Sequence, residues 1–203
     1  ILDGLALVAR AMPVLLPMHP RTSKRVAEFG LRVPERVVSI PPVGYLEMIS
    51  LTDAAAVVLT DSGGFQIYSL PNERTVDEAG ARFRSYVDGK VHLLSPESSI
   101  EMQRAIGSDI MMSLDQCIPS TAPLAQAQAA MDLTHRWALR SLAARDDSPQ
   151  ALFGIVQGAC HPDLRRKSAT FLSKLPFDGL AIGGLAVGET HAERYEFTEL
   201  TTN

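Results

Sequence analysis

Four short apolar runs each stop at a cluster of glycine and polar residues, and this arrest most limits how the chain can fold. Ala56-Val57-Val58-Leu59 runs into Asp61-Ser62-Gly63-Gly64, residues 109–114 into Asp115-Gln116-Cys117, residues 152–156 into Gln157-Gly158, and Gly179–Ile182 into Gly183-Gly184. Continuous runs of this length, rich in aliphatic residues, read as strands buried on both faces, which is how parallel sheets read. Helical patterns separate them over 95–106, 122–144 and 162–175. The expected class is therefore α/β, with three strand-to-helix steps after the Asp61 loop. In such sheets a ligand is met just past the carboxyl ends of the strands, where all four polar clusters fall.

Residues 1–60 carry the same alternation: an apolar periodic stretch at 2–12, strands at 14–16 and 37–40, helices at 22–29 and 45–51, and the run at 56–59. Residues 83–87 and 91–94 flank Asp88-Gly89, a two-residue turn signal that predicts a β-hairpin inserted into the α/β rhythm. Ser95-Pro96-Glu97 then supplies an N-cap, a first-turn proline and an acidic first turn for a helix to about Ile106.

A chain of 203 residues with 46% hydrophobic residues can bury a core of its own, yet it is shorter than the roughly 250 residues of a complete eight-unit α/β barrel. A formal charge of -4 does not advertise a broad grip on nucleic acid, leaving only a local patch. Cys117 and Cys160 lack CxxC spacing and point to a reducing, cytoplasmic setting. The five histidines form no HxH or HxxxH pair, so no metal site is expected. Arg165-Arg166-Lys167 reads as a solvated helix face. No apolar run is long enough to span a membrane. The start at Ile1, without an initiator Met or a basic leader, reads as cut from something longer.

Taken singly, Asp61 to Gly64 suits a capped strand-to-helix turn, Asp115 another cap, Cys117 a small buried side chain, and Gln157 a turn residue. Together, two carboxylates, an amide and a glycine-lined backbone on one rim suit a flat polar heterocycle such as a purine-like base.

Asp61-Ser62-Gly63-Gly64-Phe65-Gln66, Phe83-Arg84-Ser85 with Asp88-Gly89, Leu94-Ser95-Pro96-Glu97, Gly107-Ser108-Asp109-Ile110, Asp115-Gln116-Cys117, Phe153-Gly154-Ile155-Val156-Gln157-Gly158 and Gly183-Gly184-Leu185-Ala186-Val187-Gly188-Glu189 together resemble the tRNA-guanine transglycosylases, or queuine tRNA-ribosyltransferases, over residues 60–190. The resemblance implies a (β/α)8 TIM-barrel enzyme that exchanges guanine for a 7-deazaguanine at the wobble position of tRNA. It makes Asp61 the catalytic acid/base residue, and Asp115, Gln157 and the Gly184-Leu185 backbone the base-recognition set, with Ser62, Phe65 and Cys117 lining the pocket. Gln116 stands where the family usually has Glu. The family's aspartate nucleophile, zinc site and basic tRNA surface belong to motifs downstream of Glu189, and the chain ends at Asn203. The expectation is a partial barrel that keeps the base pocket, holds no cofactor or metal, and is incomplete and inactive alone.

Residues 14–64, through Pro17-Met18-His19-Pro20-Arg21-Thr22, Pro42-Val43-Gly44-Tyr45-Leu46 and Leu59-Thr60-Asp61-Ser62-Gly63-Gly64, are similar instead to the second Rossmann-like domain of non-hydrolysing UDP-N-acetylglucosamine 2-epimerases. The sequence thus reads as a mosaic: a Rossmann-like α/β fragment over 1–60, then the transglycosylase-like partial barrel over 61–203. Two other readings stand beside base exchange: sugar-nucleotide binding of the epimerase type, and a non-catalytic fragment or subunit. An open half barrel exposes strand edges, so homo- or hetero-oligomers are expected.

Overall fold

The computed structural model describes residues 2–18, 20–28, 30–70, 74–85 and 88–202. The chain divides into two compact units, Ile1–Ala56 and Val57–Asn203.

In the first unit, α1 (Leu2–Val8), β1 (Val14–Pro17), α2 (Pro20–Glu28), β2 (Val37–Ile40) and α3 (Tyr45–Asp53) follow one another. β1 and β2 pair in parallel, from Val14 opposite Val37 to Pro17 opposite Ile40, with α2 as the crossover a parallel pair requires. The Glu47 carboxylate accepts the Gly44 N–H at 2.7 Å and so caps the start of α3. His19, part of the epimerase-like run, lies outside the described residues.

The second unit opens with α4 (Gly64–Ser69) and an antiparallel sheet of β3 (Arg74–Asp77), β4 (Gly80–Arg84) and β5 (Val91–Leu94). The hairpin predicted around Asp88-Gly89 is thus the second half of a three-stranded sheet. β4 begins earlier than expected, at Gly80, and ends at Arg84; Tyr86 and Val87 lie outside the described residues. The missed strand β3 returns through a turn in which Asp77 Oδ1 accepts the Ala79 N–H at 2.8 Å. Such an Asx contact carries a weaker sequence signal than Asp-Gly.

The rest alternates strand and helix: α5 (Pro96–Ile106), β6 (Ile110–Met112), α6 (Leu124–Arg145), β7 (Ala151–Val156), α7 (Pro162–Leu172), β8 (Gly179–Ile182) and α8 (His191–Thr202). β6, β7 and β8 form one parallel sheet in chain order. Ser95 caps α5 as its sequence predicts: its hydroxyl accepts the Ser98 N–H at 3.2 Å, and the Ser98 hydroxyl accepts the Ser95 N–H at 2.9 Å.

The strand expected over 56–59 is reduced to a single parallel bridge between Leu59 and Ile110. Asp109 explains the shortening. Its carboxylate accepts the Val58 N–H at 2.7 Å, while the Val58 carbonyl accepts the Asp109 and Ile110 N–H groups at 2.8 and 3.1 Å. These bonds fasten Val57–Thr60 to β6.

α6 organises the core. Trp137 packs with Ile67, Ala81, Leu94, Leu114 and Leu133, and its indole N–H donates to the Glu78 carbonyl at 3.2 Å. Ala138 on the same helix packs with Val156 and Leu172. Leu114 and Val156 are therefore fixed by apolar packing immediately before Asp115 and Gln157, which places two polar side chains at the end of the sheet. Among the described residues no helix is long and apolar enough to cross a membrane.

Candidate functional site

A cavity of about 290 Å³ opens at the carboxyl ends of β6, β7 and β8, lined by Leu59, Asp61, Phe65, Met112, Asp115, Cys117, Ile155, Ala181, Ile182, Gly183, Gly184 and Leu185. Six of the residues singled out from sequence thus meet around one space: Asp61, Phe65, Asp115, Cys117, Gly184 and Leu185. The other two, Ser62 and Gln157, sit behind Asp115 and bind it. The Ser62 hydroxyl donates to Asp115 Oδ1 at 3.1 Å, and Gln157 Nε2 donates to Asp115 Oδ2 at 2.6 Å.

Asp115 is 8% exposed. Burial pushes its carboxyl up to about 6; the Gln157 amide and the Ser62 hydroxyl pull the other way, and the nearby Asp61 charge adds to the rise. At neutral pH it is a buried carboxylate whose charge is held by two donors. Gly64 lets α4 approach it: a Cβ there would fall 2.5 Å from both the Asp115 carbonyl and Oδ1. Any side chain at position 64 would push the helix off the carboxylate.

Asp61 faces the cavity mouth, where its Oδ1 accepts the Ser62 N–H at 2.8 Å and its Oδ2 the Gln66 amide at 2.9 Å. Phe65, on the first turn of α4, is half exposed beside it. The Cys117 thiol is pushed up to about 12, by burial first and then by the Asp115 and Asp61 charges. It stays protonated and acts as a wall, since a thiol needs an electropositive setting to become a nucleophile.

Gln157 is 1% exposed, and its Oε1 is buried without a partner. Gly184 adopts φ +62°, a left-handed conformation that favours glycine, and a Cβ on it would sit 2.3 Å from that Oε1. Among the described residues, neither the Gly184 nor the Leu185 N–H donates to a protein acceptor. The cavity wall thus carries the Asp115 carboxylate as a buried acceptor, and two of its lining residues, Gly184 and Leu185, have main-chain N–H groups without a protein acceptor among the described residues.

Four further side chains, Ser168, His135, Glu189 and Arg165, support the site without having been expected there. Ser168 accepts the Gln157 main-chain N–H at 3.1 Å and bonds His135 Nε2 at 3.0 Å. Burial draws that imidazole down to about 4, so it is neutral. Glu189 accepts the Val187 N–H at 3.0 Å and the Arg194 guanidinium at 2.6 Å, and also bonds the Ala186 N–H. Burial opposes its charge, yet Arg194 and the turn amides hold it at about 2. Arg165, expected on a solvated face, is fully buried. Burial lowers its guanidinium to about 10, which leaves it charged at neutral pH. The signal for it was present: Leu164, Arg165, Ser168 and Leu172 form the buried stripe of α7, and weighing three adjacent charges as one block hid that periodicity.

A profile of the family described as queuine tRNA-ribosyltransferase matches residues 44–203. The chain belongs to this family. A queuine tRNA-ribosyltransferase from Thioalkalivibrio sulfidiphilus is 54% identical over 138 residues, 68% of this chain and 37% of that protein. One from Herpetosiphon aurantiacus is 48% identical over 145 residues, 71% of this chain and 37% of the relative, and one from Thermotoga neapolitana is 50% identical over 144 residues, 71% and 39%. The chain thus spans under two-fifths of the length of these queuine tRNA-ribosyltransferases. The family match also takes in residues 44–60, which the sequence reading assigned to the epimerase-like fragment. Among the described residues no group of three or more His, Cys, Asp or Glu side chains is placed to hold a metal.

Proposed function

We propose that the cavity at the ends of β6, β7 and β8 holds guanine or a 7-deazaguanine, in service of base exchange at the wobble position of tRNA. The observation that carries this reading is a buried carboxylate, Asp115, on the wall of a cavity that is also lined by Gly184 and Leu185, whose main-chain N–H groups have no protein acceptor among the described residues. Guanine has the matching edge, with N–H donors beside a carbonyl acceptor. Asp115, as the carboxylate, accepts from the base N–H groups, and Gly184 and Leu185 donate to its carbonyl. Cys117 and Ile155 bound the slot with apolar surface.

In this reading Asp61 is the acid/base group beside the glycosidic bond. It stands at the mouth, within hydrogen bonding of Gln66, where a base still attached to its ribose would project towards solvent. A proton delivered by its carboxyl to the departing base, or taken from the incoming one, is general acid/base catalysis of the ordinary kind. The carboxylates lining the cavity are Asp61 and Asp115, both with roles assigned here.

The architecture that suits the reading is part of a (β/α)8 barrel: a parallel sheet in sequential order, each strand followed by a helix, the polar residues past the strand ends, and the β3–β5 sheet as the insertion. Calorimetric titration with guanine, with a 7-deazaguanine and with UDP tests the function. Binding of the two bases, lost in Asp115→Ala and absent for UDP, is the expected result. Binding of UDP without guanine would replace base recognition by the sugar-nucleotide reading.

A further inference from the structure

Arg165 is the most unusual buried group in the second unit. Its side chain has no exposure, and its four hydrogen bonds all end on main-chain oxygens. Nε donates to the Ala159 carbonyl at 2.9 Å, Nη1 to the Val156 carbonyl at 3.3 Å and the Gly183 carbonyl at 2.7 Å, and Nη2 to the Gly184 carbonyl at 3.1 Å. A buried cation costs several kcal/mol of desolvation when its partners are poor. Here the fork of a guanidinium is met by oxygens from three places: the end of β7, the turn after it, and the turn after β8. An apolar side chain would fill the same space without that cost, so the arrangement calls for a role beyond packing.

The role follows from peptide geometry. In a trans peptide the C=O and the following N–H point in opposite directions. Drawing the Gly183 and Gly184 carbonyls onto one guanidinium turns the N–H groups of Gly184 and Leu185 away from it. Those residues line the cavity and Arg165 does not. The bond to the Val156 carbonyl refers the same turn to the strand that carries Gln157.

We propose that Arg165 is a positioning residue for base recognition: by clamping the Gly183 and Gly184 carbonyls, it aims two main-chain N–H donors at the acceptor atom of a bound base and fixes their distance from Asp115 and Gln157. This inference rests on the base-binding reading above and adds to it the residue that orients its donor side. Lysine cannot replace it, because a single ammonium on a flexible stem does not span four fixed oxygens.

The test compares Arg165→Lys and Arg165→Met with Arg140→Met. Arg140 holds Glu97 through bonds of 2.7 Å and the Glu78 and Ala79 carbonyls, and is not among the cavity-lining residues, so its variant controls for lost stability. Two quantities are read: the guanine dissociation constant by calorimetry, and, in ligand-free protein, hydrogen exchange of the Gly183 amide, which donates to the Val156 carbonyl at 3.0 Å. The expected result is guanine affinity about tenfold to a hundredfold weaker in both Arg165 variants, faster Gly183 exchange in both, and neither change in Arg140→Met. Unchanged affinity in a folded Arg165 variant, or full recovery with lysine, overturns the proposal. Should the unsubstituted protein bind no guanine, the base reading fails and the exchange arm still decides: unaltered Gly183 exchange overturns the clamp, and accelerated exchange confined to the Arg165 variants upholds it. If Arg165→Met does not fold, Arg165→Lys carries both measurements.

Discussion

The first unit pairs β1 with β2 in parallel across α2; the second pairs β6, β7 and β8 in parallel across α6 and α7. Local construction is the same, and burial is not. In Ile1–Ala56 the buried hydrophobic residues among those described are Ala9, Met18 and Val37, while Leu15 and Val38 on its strands are 51% and 53% exposed. In Val57–Asn203 Trp137, Met131, Leu152 and Leu172 are fully or almost fully buried, and every buried polar side chain among the described residues lies from Ser62 onward. A carboxylate, an amide and a guanidinium can be held out of water only where packed neighbours fix their hydrogen-bond partners. The contrast teaches that strand-helix alternation makes a scaffold, and that a dense core is what permits a polar site at its edge.

The largest test of this contrast is Trp137→Ala, which should cost the second unit about 3–5 kcal/mol through the cavity it leaves. Because Trp137 is the chain's single tryptophan, its fluorescence reports the second unit, whereas far-ultraviolet circular dichroism reports both. In the unsubstituted protein the fluorescence midpoint in urea should lie above that of the dichroism, and coincident midpoints would show that the two units unfold as one.

Next in size is Asp115→Ala, expected to weaken guanine binding about tenfold to a hundredfold or more by removing a charged acceptor. The same residue sets a pH dependence. Its carboxyl lies at about 6 in the folded chain against 3.8 ordinarily, so the stability linked to it is fully present below pH 3.8 and is lost as pH rises through 6. Asp115→Asn should therefore be more stable than the parent at pH 7, by about 3 kcal/mol. Guanine affinity should run the other way, falling below pH 6 as the acceptor is protonated; a flat calorimetric profile between pH 5 and 8 would remove Asp115 from the base contact.

Ser168→Ala should cost about 1–2 kcal/mol by leaving the Gln157 N–H unpaired in a buried place, seen as a lower urea midpoint by fluorescence. The smallest effect is expected in the first unit, where Val38→Thr on an exposed strand position should shift the dichroism midpoint by less than about 0.5 kcal/mol. A larger shift there would mean that this face is covered in solution.

Much of this was legible from local chemistry. The cap at Ser95, the strand at Gly179–Ile182 and the rim formed by Asp61, Asp115, Gln157 and Gly184 follow from short-range preferences and from where strands end, because a residue past a strand's carboxyl end has few other places to go. Ser62 and Gln157, expected to meet the ligand, stand behind the Asp115 carboxylate and not on the cavity wall. What the chain could not announce was partnership at a distance. Nothing local tells Asp109 to seize the Val58 N–H and shorten a strand, or Asp77 to fold β3 against β4. Arg165 shows the limit most sharply: among charged neighbours it reads as solvated, and only the convergence of carbonyls from β7 and the turn after β8 makes its burial favourable. Sequence decides which segments become strands and helices and which polar groups stand at their ends; the tertiary structure decides which of those groups lose water, because desolvation depends on neighbours that only folding brings together.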